Sequence, residues 1–489
     1  MTKQEAVIKY IEDNHLQFNR LRHDVVSDKL QVRVAHRLSA PHNATSVIGD
    51  PAKDAALSGY NLEFRGGEYW REMTKHDINS IVCHCAQECD VNITSREVMT
   101  ALQSDLIPDV HPLREYILSL PPFTPDQPDW IDWVAQQVHV RDSALDNGRL
   151  KEAIGRSQSE LLDGTACLLD NVPHSEASHS PQSGRPIGGT PSHSPNGASS
   201  GSNADALWRA CFKKWFVAMV ASWMKDEVVN HQVLVLIGKQ GIYKTTWLEH
   251  LIPPHLRAYA CKLANSADLN KDERLRIAEF GLISLDEIDS MNSRELNQLK
   301  SIITATDVNE RAAYAYTKER RVRLASFCAS GNRRDFLTDI TGNRRWLPFE
   351  VESIQNPFTT LLPYERIYAQ AWALAQDPFF SYWFDLDEIE VLEQHNQHFR
   401  DESNEEQLLP ILFDVPAEGK GEFLTTAQIS ERLVTYGNIK KPMALSRLGM
   451  LLGAHGFQKK TIGVQRLRGW LVYQRSMDEI NANKRLYAK

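Results

Sequence analysis

Apolar positions in the second half of the chain follow two periods, one helical and one extended. The segment LWRACFKKWFVAMVASWM (207–224) repeats large apolar residues at helical intervals on more than one flank, which predicts a buried helix. It leads into VLVLIG (233–238), a short β-branched run typical of a buried strand. Two further runs of this kind, GLISLDE (281–287) and VRLASFCAS (322–330), are separated by helical segments. Strands that alternate with helices predict an α/β fold around a parallel sheet.

The two ends of the chain have other patterns. Residues 1–170 alternate helical segments with short polar joints, such as the segments that follow Thr74 and Thr94, so this region is predicted to be mainly helical. Near the other end, a helix capped at Thr425, a second helix over 443–456 and an alternating hairpin over 459–475 follow one another. Two helices and a hairpin in this order predict a C-terminal winged-helix domain.

Composition sets the predicted domain boundaries. Residues 173–204 contain five Pro, five Gly and nine Ser, a mixture that cannot bury enough apolar surface to fold, so 171–204 is predicted to be a disordered linker. The α/β core is predicted over 205–375. Residues 376–418 carry twelve acids and one base and predict an acidic helical connector. The small C-terminal domain is predicted over 419–489.

Overall composition excludes several classes of protein. Hydrophobic residues make up 42% and charged residues 24% of the 489 residues, which excludes a disordered or fibrous chain. No apolar run is long enough to span a membrane and no signal peptide is recognisable, so we expect a cytoplasmic protein with reduced thiols. The net charge of −8 hides a basic region, because the segment from Lys420 to Arg475 has ten Lys and Arg against two acids.

The run GKQGIYKTT (238–246) follows a predicted strand and precedes a helical segment. Backbone N–H groups at such a turn bind phosphate oxygens, so the run predicts a phosphate-binding loop for ATP. Lys244 is expected to reach the β- and γ-phosphates and Thr245 to hold Mg²⁺. The residues expected to contact the nucleotide are Gly238, Gly241, Tyr243, Lys244, Thr245 and Thr246. A glycine-containing turn without a ligand is the alternative.

Tyr243 departs from the phosphate-loop pattern G-x-x-x-x-G-K-[ST], which has glycine at that position. A Cβ and a ring limit how closely the backbone approaches a phosphate. Slow turnover or an altered loop is the expected consequence.

Two adjacent carboxylates, Asp286 and Glu287, end the apolar run that begins at Gly281. Ligand sites in α/β sheets lie at the carboxyl ends of strands, and we expect this strand to neighbour the one before the loop. Asp286 is then expected to hold Mg²⁺ and Glu287 to polarise the attacking water. Apolar strands that end in an acid are common, and the position of Asp286, 42 residues after Lys244, favours the functional interpretation.

Three more residues are candidates for contact with the transferred phosphoryl group. Asn332 follows the next strand and is expected to orient water or sense the γ-phosphate, although Gly-Asn is also a favoured turn pair. Arg344 or Arg345 is a candidate arginine finger, because a guanidinium suits the charge that develops on a transferred phosphoryl group. A surface pair near a turn is the alternative for the two arginines.

Taken in order, these elements resemble the P-loop domain of the virulence-associated E family, which is similar to superfamily 3 helicases and the AAA+ class. The resemblance covers residues 205–352 and rests on GKQGIYKTT as Walker A, GLISLDEID as Walker B, ASGNRRDFLTD as sensor 1 and TGNRRWLPFEV as the arginine region. It implies an ATPase that acts in the replication of phages or mobile elements. In that family the ATPase domain commonly occurs beside a primase domain. The N-terminal half lacks an Asp-x-Asp pair with a downstream His, so a separate chain is expected to supply any primase.

Superfamily 3 helicases also carry a hairpin between Walker B and sensor 1 that points into a central channel. In that interval the run NERAAYAYTKERRVRL (309–324) has alternating tyrosines followed by cations. Rings stack on bases and cations follow phosphates, so Lys318, Arg320 and Arg321 are expected to contact DNA. The alternative is an exposed hairpin whose cations are only solvated.

The C-terminal domain has its own set of candidate DNA contacts. A winged helix places its second helix in the major groove and its wing on phosphates. The expected contacts are Lys440, Lys441, Arg447, Lys459, Lys460, Arg466 and Arg468. A winged helix that binds protein is the alternative.

Together these features predict an ATP- and Mg²⁺-dependent DNA helicase that closes into a homo-oligomeric ring. An ATP-switched initiator that binds DNA with little unwinding is the first alternative, and Tyr243 slightly favours it. A nucleotide-regulated defence or signalling ATPase without a DNA role is the second.

Overall fold

The computed structural model describes most of the chain outside the predicted linker. The described residues are 2–13, 20–35, 68–105, 107–141, 203–263, 271–310, 319–338, 343–417, 421–463 and 466–481. Contacts divide the chain into two compact units. The first comprises residues 1–288, 294–332 and 347–391, and the second comprises residues 289–293, 333–346 and 392–489. The linker prediction falls, up to residue 202, outside the described residues.

The elements are numbered in chain order. The helices are α1 (Lys3–Ile11), α2 (Lys75–Glu88), α3 (Ser95–Leu102), α4 (Pro112–Ser119), α5 (Trp130–Ala135), α6 (Asn203–Met224), α7 (Lys244–His250), α8 (Lys271–Glu279), α9 (Ser293–Ile303), α10 (Tyr364–Gln376), α11 (Leu386–Asn396), α12 (Asn404–Leu412), α13 (Thr426–Gly437) and α14 (Leu445–Ala454). The strands are β1 (Leu21–Asp24), β2 (Lys29–Ala35), β3 (Glu68–Glu72), β4 (Asp109–Val110), β5 (Val138–Val140), β6 (Val233–Ile237), β7 (Ala260–Leu263), β8 (Leu282–Leu285), β9 (Asp307–Glu310), β10 (Glu319–Val322), β11 (Ser326–Gly331), β12 (Trp346–Ile354), β13 (Phe413–Asp414), β14 (Glu422–Leu424), β15 (Gln458–Ile462) and β16 (Leu467–Gln474). Short 3-10 helices cover Pro254–Tyr259, Ile288–Ser290, Asn343–Arg345 and Gln397–Phe399.

The central sheet has the strand order β5-β12-β6-β11-β8-β7. β11 pairs in parallel with β6 and with β8, and β7 pairs in parallel with β8. Every residue of β6, β8 and β11 is buried, as expected of strands that are covered on both faces. The predicted α/β fold is confirmed, and its core strands β6, β7, β8 and β11 are parallel, whereas β12 pairs antiparallel with β5. The predicted adjacency is wrong, because β11 lies between β6 and the acidic strand β8.

Helix α6 covers this sheet, as its apolar pattern predicts. The indole N–H of Trp215 donates to the carbonyl oxygen of Phe327 on β11 (3.1 Å), and that of Trp223 donates to the carbonyl oxygen of Gly281 (3.1 Å). Both indoles are buried and both keep a hydrogen-bond partner, so they add apolar burial without an unsatisfied N–H. Within the described residues, no helix combines the length and the apolar character needed to cross a bilayer.

The N-terminal region contains a sheet that the sequence analysis missed. Its strand order is β3-β2-β1-β4, with β4 parallel to β1 and the other pairs antiparallel. The predicted helices after Thr74 and Thr94 are confirmed as α2 and α3, and Thr94 forms a capping box with Glu97. The region is therefore helices packed on a sheet, and the prediction of a mainly helical fold was incomplete.

Tyr259 ties this N-terminal sheet to the central one. Its hydroxyl donates to Asp24 Oδ2 at 2.8 Å, and Asp24 is fully buried. Burial raises the pKa of Tyr259, so the hydroxyl stays protonated and remains a donor. The two sheets are therefore parts of one unit, which agrees with the contact division.

The second unit contains α12 to α14 and a small antiparallel sheet. Within that sheet β16 pairs with β13, β14 and β15. Thr425 caps α13 in a capping box with Gln428, and β15 and β16 form the predicted hairpin. Trp470 lies in the apolar core between the helices and the hairpin. The elements predicted for 425–475 are confirmed.

Candidate functional site

The loop between β6 and α7 is shaped by two glycines and one tyrosine. A Cβ on Gly238 would lie 2.6 Å from the carbonyl oxygen of Val351 on β12, so only glycine fits there. Gly241 has a φ of +86°. Tyr243 has a φ of +68°, and it adopts the left-handed conformation that glycine supplies in the phosphate-loop pattern. A left-handed non-glycine residue costs roughly 1–2 kcal/mol, so the loop is held by its surroundings.

Lys244 is buried at the centre of this loop. Its Nζ donates to the carbonyl oxygens of Gly238 and Lys239, both at 2.7 Å, and to Asn332 Oδ1 at 3.3 Å. The loop therefore closes around its own lysine. Asn332 is exposed at the end of β11, beside β8 as predicted, and it lies next to the ammonium group.

Three side chains from three elements meet beside the loop. Ser330 Oγ lies 2.7 Å from Asp286 Oδ1 and 2.9 Å from Thr245 Oγ1, and Thr245 Oγ1 lies 3.2 Å from Asp286 Oδ1. The sequence prediction paired Thr245 with Asp286 and missed Ser330. A hydroxyl at the carboxyl end of a buried parallel strand was the signal that could have identified it.

Lys262 on β7 is a second residue that the sequence analysis missed, because β7 itself was not predicted. Its Nζ lies 2.9 Å from Asp286 Oδ2. Burial opposes ionisation of Asp286, but the hydrogen bond from Ser330 and the ion pair with Lys262 outweigh it and lower the pKa of Asp286. Asp286 is therefore a carboxylate at neutral pH, with one oxygen toward Thr245 and the other toward Lys262.

Glu287 is more exposed than its neighbour Asp286. It is exposed and has a φ of +54°, so it also occupies the left-handed region. Strain of this kind collects at functional sites, where the surroundings over-determine the backbone. The left-handed backbone at Glu287 gives the two acids different surroundings. Asp286 contacts the hydroxyls of Thr245 and Ser330, whereas Glu287 is exposed.

Thr246 lies in the first turn of α7 and is half-buried. Its carbonyl oxygen accepts a hydrogen bond from Nδ1 of His250 at 2.7 Å. This hydrogen bond to His250 uses the backbone of Thr246. The expected contact of Thr246 with nucleotide stays a prediction.

Arg344 and Arg345 belong to the second unit, in the 3-10 helix that precedes β12. Arg344 is exposed and Arg345 is half-buried. Burial, aided by the neighbouring charge of Arg344, lowers the pKa of Arg345. Asn396 Nδ2 donates to the carbonyl oxygens of Asn343 (2.8 Å) and Trp346 (3.0 Å), which fixes the backbone on both sides of the arginines. Their role as arginine fingers stays a prediction.

The hairpin of β9 and β10 carries two of the predicted DNA contacts. Arg320 is 77% exposed and lies 2.7 Å from Asp307. Arg321 is only 18% exposed and contacts Asp28 at 2.9 Å and Glu279 at 3.7 Å. Lys318 lies outside the described residues. The charge of Arg321 is thus engaged within the protein.

The C-terminal candidates lie mostly at the surface. The exposed cations are Lys440, Lys441, Lys459, Lys460, Arg466 and Arg468. Arg447 is half-buried, and its guanidinium donates to the carbonyl oxygen of Thr338 at 2.8 Å. The exposed face of α14 carries Leu445 and Met450. These apolar side chains cannot hydrogen-bond to base edges. Four of the six exposed cations, Lys459, Lys460, Arg466 and Arg468, lie on the β15–β16 hairpin.

In the part of the chain that the structure describes, no three His, Cys, Asp or Glu side chains gather as a metal-binding group. The Thr245 and Asp286 pair therefore offers two oxygen atoms and no protein cage. A hard cation that keeps water and phosphate ligands suits such a site.

Comparison with known proteins gives one family. Residues 198–406 match the model of the virulence-associated protein E-like domain. No curated protein matches the chain. Two apo structures of the NrS-1 C-terminal region (305–718) are similar at 10% identity and a TM-score of 0.38, covering 97% and 96% of this chain and 100% of each of those chains. A TM-score this low supports no conclusion about function.

Proposed function

We propose that the protein is an ATPase that acts on DNA in the replication of a mobile element or phage, because residues 198–406 match the model of the virulence-associated protein E-like domain. Its core would be a P-loop domain of the superfamily 3 type, working as a DNA helicase. The family resemblance and the residues around Lys244 support this proposal.

One observation carries the proposal. Thr245, Ser330 and Asp286 lie within 2.7 to 3.2 Å of one another, beside a loop that is wrapped around Lys244. A phosphate-binding loop requires backbone N–H groups at a helix start, a lysine for the β- and γ-phosphates, and a hydroxyl that shares Mg²⁺ with an acid. A plain glycine turn would not need a lysine and a threonine at the helix start together with a serine and an aspartate from two distant strands.

Mg²⁺ fits the donor set. It prefers oxygen ligands and takes only one or two from protein when phosphates supply others. Thr245 and Asp286 would hold it, and when bound it would neutralise charge on the β- and γ-phosphates. Lys244 would exchange its bonds to loop carbonyl oxygens for bonds to phosphate oxygens.

The remaining residues of the site take roles around the attacking water. Glu287, exposed beside Asp286, would accept a proton from that water. Asn332 would orient the water or contact the γ-phosphate, since its Oδ1 lies 3.3 Å from Lys244 Nζ. Arg344 or Arg345 would complete the site of a neighbouring subunit in a homo-oligomeric ring, as the resemblance implies.

Two basic regions support DNA as the partner. The hairpin of β9 and β10 would contact single strands through Lys318, Arg320 and Arg321. The C-terminal unit would be a winged helix with α13, α14 and the β15–β16 hairpin as its parts. Because four of the six exposed cations lie on the hairpin, it would supply most of the DNA contact, and these cations would bind phosphates without reading sequence.

An ATP-switched initiator is the second candidate, and the Arg321 contact favours it. Arg321 is paired with Asp28 of the N-terminal region at 2.9 Å, so one expected DNA contact is engaged elsewhere in this conformation. A protein that frees Arg321 only after a nucleotide-dependent change would bind DNA in a switched manner.

Two measurements on the full chain test the proposal. ATP hydrolysis is followed with and without single-stranded DNA, and strand displacement is followed on forked DNA with ATP and Mg²⁺. DNA-stimulated hydrolysis with displacement supports the helicase, whereas ATP-dependent DNA binding without displacement supports the initiator. If calorimetry detects no uptake of ATP with Mg²⁺ by the folded protein, both candidates are wrong.

A further inference from the structure

Two exposed aromatic rings meet beside the phosphate loop. Tyr243, directly before Lys244, is 39% exposed, and Phe358, in the loop that follows β12, is 41% exposed. Their ring centroids lie 6.4 Å apart at an interplanar angle of 80°. Single exposed apolar side chains are common, but two that contact each other at a candidate ligand site form an accessible apolar patch there.

Phe358 is held in place by a neighbouring ring and by a hydrogen-bonded turn. The ring of His250, at the end of α7, lies 5.4 Å from that of Phe358 at 87°. Asn356 Oδ1 accepts a hydrogen bond from the backbone N–H of Phe358 at 3.0 Å, and its carbonyl oxygen accepts one from the N–H of Thr360 at 3.1 Å. Phe358 is thus presented by a hydrogen-bonded turn and by a packed ring.

The strand order puts these rings opposite the acids. β6, which leads into the loop, has β11 on one side and β12 on the other. Ser330 and Asp286 belong to the β11 and β8 side, whereas Phe358 follows β12. A nucleotide whose γ-phosphate contacted Asp286 and whose base extended toward β12 would bring that base to these rings.

We propose that Tyr243 and Phe358 form an aromatic platform for the base of the bound nucleotide. The inference rests on the proposed function, and it gives Tyr243 a role beyond the loop backbone. One ring stacks on the base while the other meets its edge, as the perpendicular geometry allows. Every base has a π-face, so the platform binds purine nucleotides with little preference among them.

The test separates base binding from phosphate binding. Calorimetry with Mg²⁺ measures the affinity of the full chain for ATP and for inorganic tripolyphosphate, which has no base. Phe358→Ala is expected to weaken ATP binding roughly 10- to 100-fold, the range that loss of one base–aromatic stack produces, and to leave tripolyphosphate binding unchanged. Tyr243→Asn, which removes the ring but tolerates the left-handed backbone, is expected to weaken the binding of ATP more than that of tripolyphosphate.

The controls are matched to these changes. Phe358→Tyr retains the ring, and Phe379→Ala removes a phenylalanine that is 73% exposed in the same unit, so both are expected to bind ATP as the parent does. If Phe358→Ala binds ATP with the parental affinity, the platform is overturned while the proposed ATPase stands. Equal loss of ATP and tripolyphosphate affinity also overturns it, because the loop rather than the base contact was damaged. If the parent protein binds neither ATP nor tripolyphosphate, the proposed function itself is wrong.

Discussion

Ser330 holds Asp286 in the candidate site, with its Oγ at 2.7 Å from the carboxylate oxygen Oδ1. Ser330 lies on β11 and Asp286 directly follows β8, its parallel neighbour, and the residues before them, Ala329 and Leu285, are paired. The same hydroxyl lies 2.9 Å from Thr245 Oγ1. Ser330 therefore sets the direction of both oxygen atoms that we propose as Mg²⁺ ligands.

Ser330→Ala is expected to weaken Mg²⁺ binding roughly 10- to 100-fold, as loss of residues that orient metal ligands does. The hydrogen bond from Ser330 lowers the pKa of Asp286, so its loss raises that pKa and moves the acid limb of Mg²⁺-dependent hydrolysis to higher pH. Magnesium titrations of ATP hydrolysis at several pH values measure both effects. Ser222→Ala, at a buried hydroxyl bonded to the carbonyl oxygens of Met219 and Leu324, is the matched control. An unchanged Mg²⁺ requirement in Ser330→Ala would contradict this role.

Glu287→Gln is expected to leave ATP binding intact and to reduce hydrolysis by at least about 100-fold, because general-base catalysis contributes about that much. Lys244→Ala, in contrast, is expected to abolish nucleotide binding. Calorimetry and phosphate release measure the two steps separately. Glu365→Gln removes an exposed carboxylate at the start of α10 and serves as the control. Parental turnover in Glu287→Gln would show that another group accepts the proton.

Lys262→Ala is expected to lower the Mg²⁺ concentration needed for half-maximal hydrolysis. Lys262 lies 2.9 Å from Asp286 Oδ2 and shares the carboxylate that a cation would occupy. A partly exposed ion pair contributes about 0.2–1 kcal/mol, so the shift is expected to be about two- to fivefold at most. Lys262→Arg keeps the charge and is expected to behave like the parent. A higher Mg²⁺ requirement in Lys262→Ala would instead assign Lys262 to phosphate binding.

Arg323→Met is expected to destabilise the first unit by more than about 3 kcal/mol, because each buried carbonyl left without a donor costs about 1–3 kcal/mol. Arg323 is buried at the base of the β9–β10 hairpin. Its guanidinium donates to the carbonyl oxygens of Asn230, Ile302, Ile303, Ala305 and Ala325. Denaturant unfolding measures the loss. Arg320→Met changes an exposed arginine of the same hairpin and is expected to cost less than about 1 kcal/mol. Equal losses in the two variants would contradict the structural role of Arg323.

Lys460→Ala is expected to weaken DNA binding to the same degree on unrelated sequences and to reduce the magnitude of the salt slope by about 1, as loss of one phosphate contact does. Lys460 lies exposed on the β15–β16 hairpin, and contacts with phosphates carry no sequence information. Fluorescence anisotropy at several salt concentrations gives the slope. Lys9→Ala on α1 removes an exposed lysine from the first unit and is the control. A loss of affinity that differed between DNA sequences would contradict this role and indicate that bases are read.

Much of the local structure was predictable from the sequence because it depends on neighbours along the chain. The apolar period of 207–224, the buried runs that became β6 and β8, and the Thr94 and Thr425 caps each form their elements through contacts within a few residues. The loop around Lys244 was predictable for the same reason.

The contacts between distant segments were decided only by the tertiary structure. The placement of β11 between β6 and β8 brings Ser330 to Asp286, and the short strand β7 brings Lys262 there. The N-terminal sheet was missed although β2 (KLQVRVA) alternates apolar and polar residues, because β1 and β4 have only four and two residues and show no readable period of their own. The pairing of Arg321 with Asp28 and of Tyr243 with Phe358 likewise depends on how distant segments pack. Sequence patterns report which face of an element is buried, whereas strand order depends on the free energy of packing the whole unit.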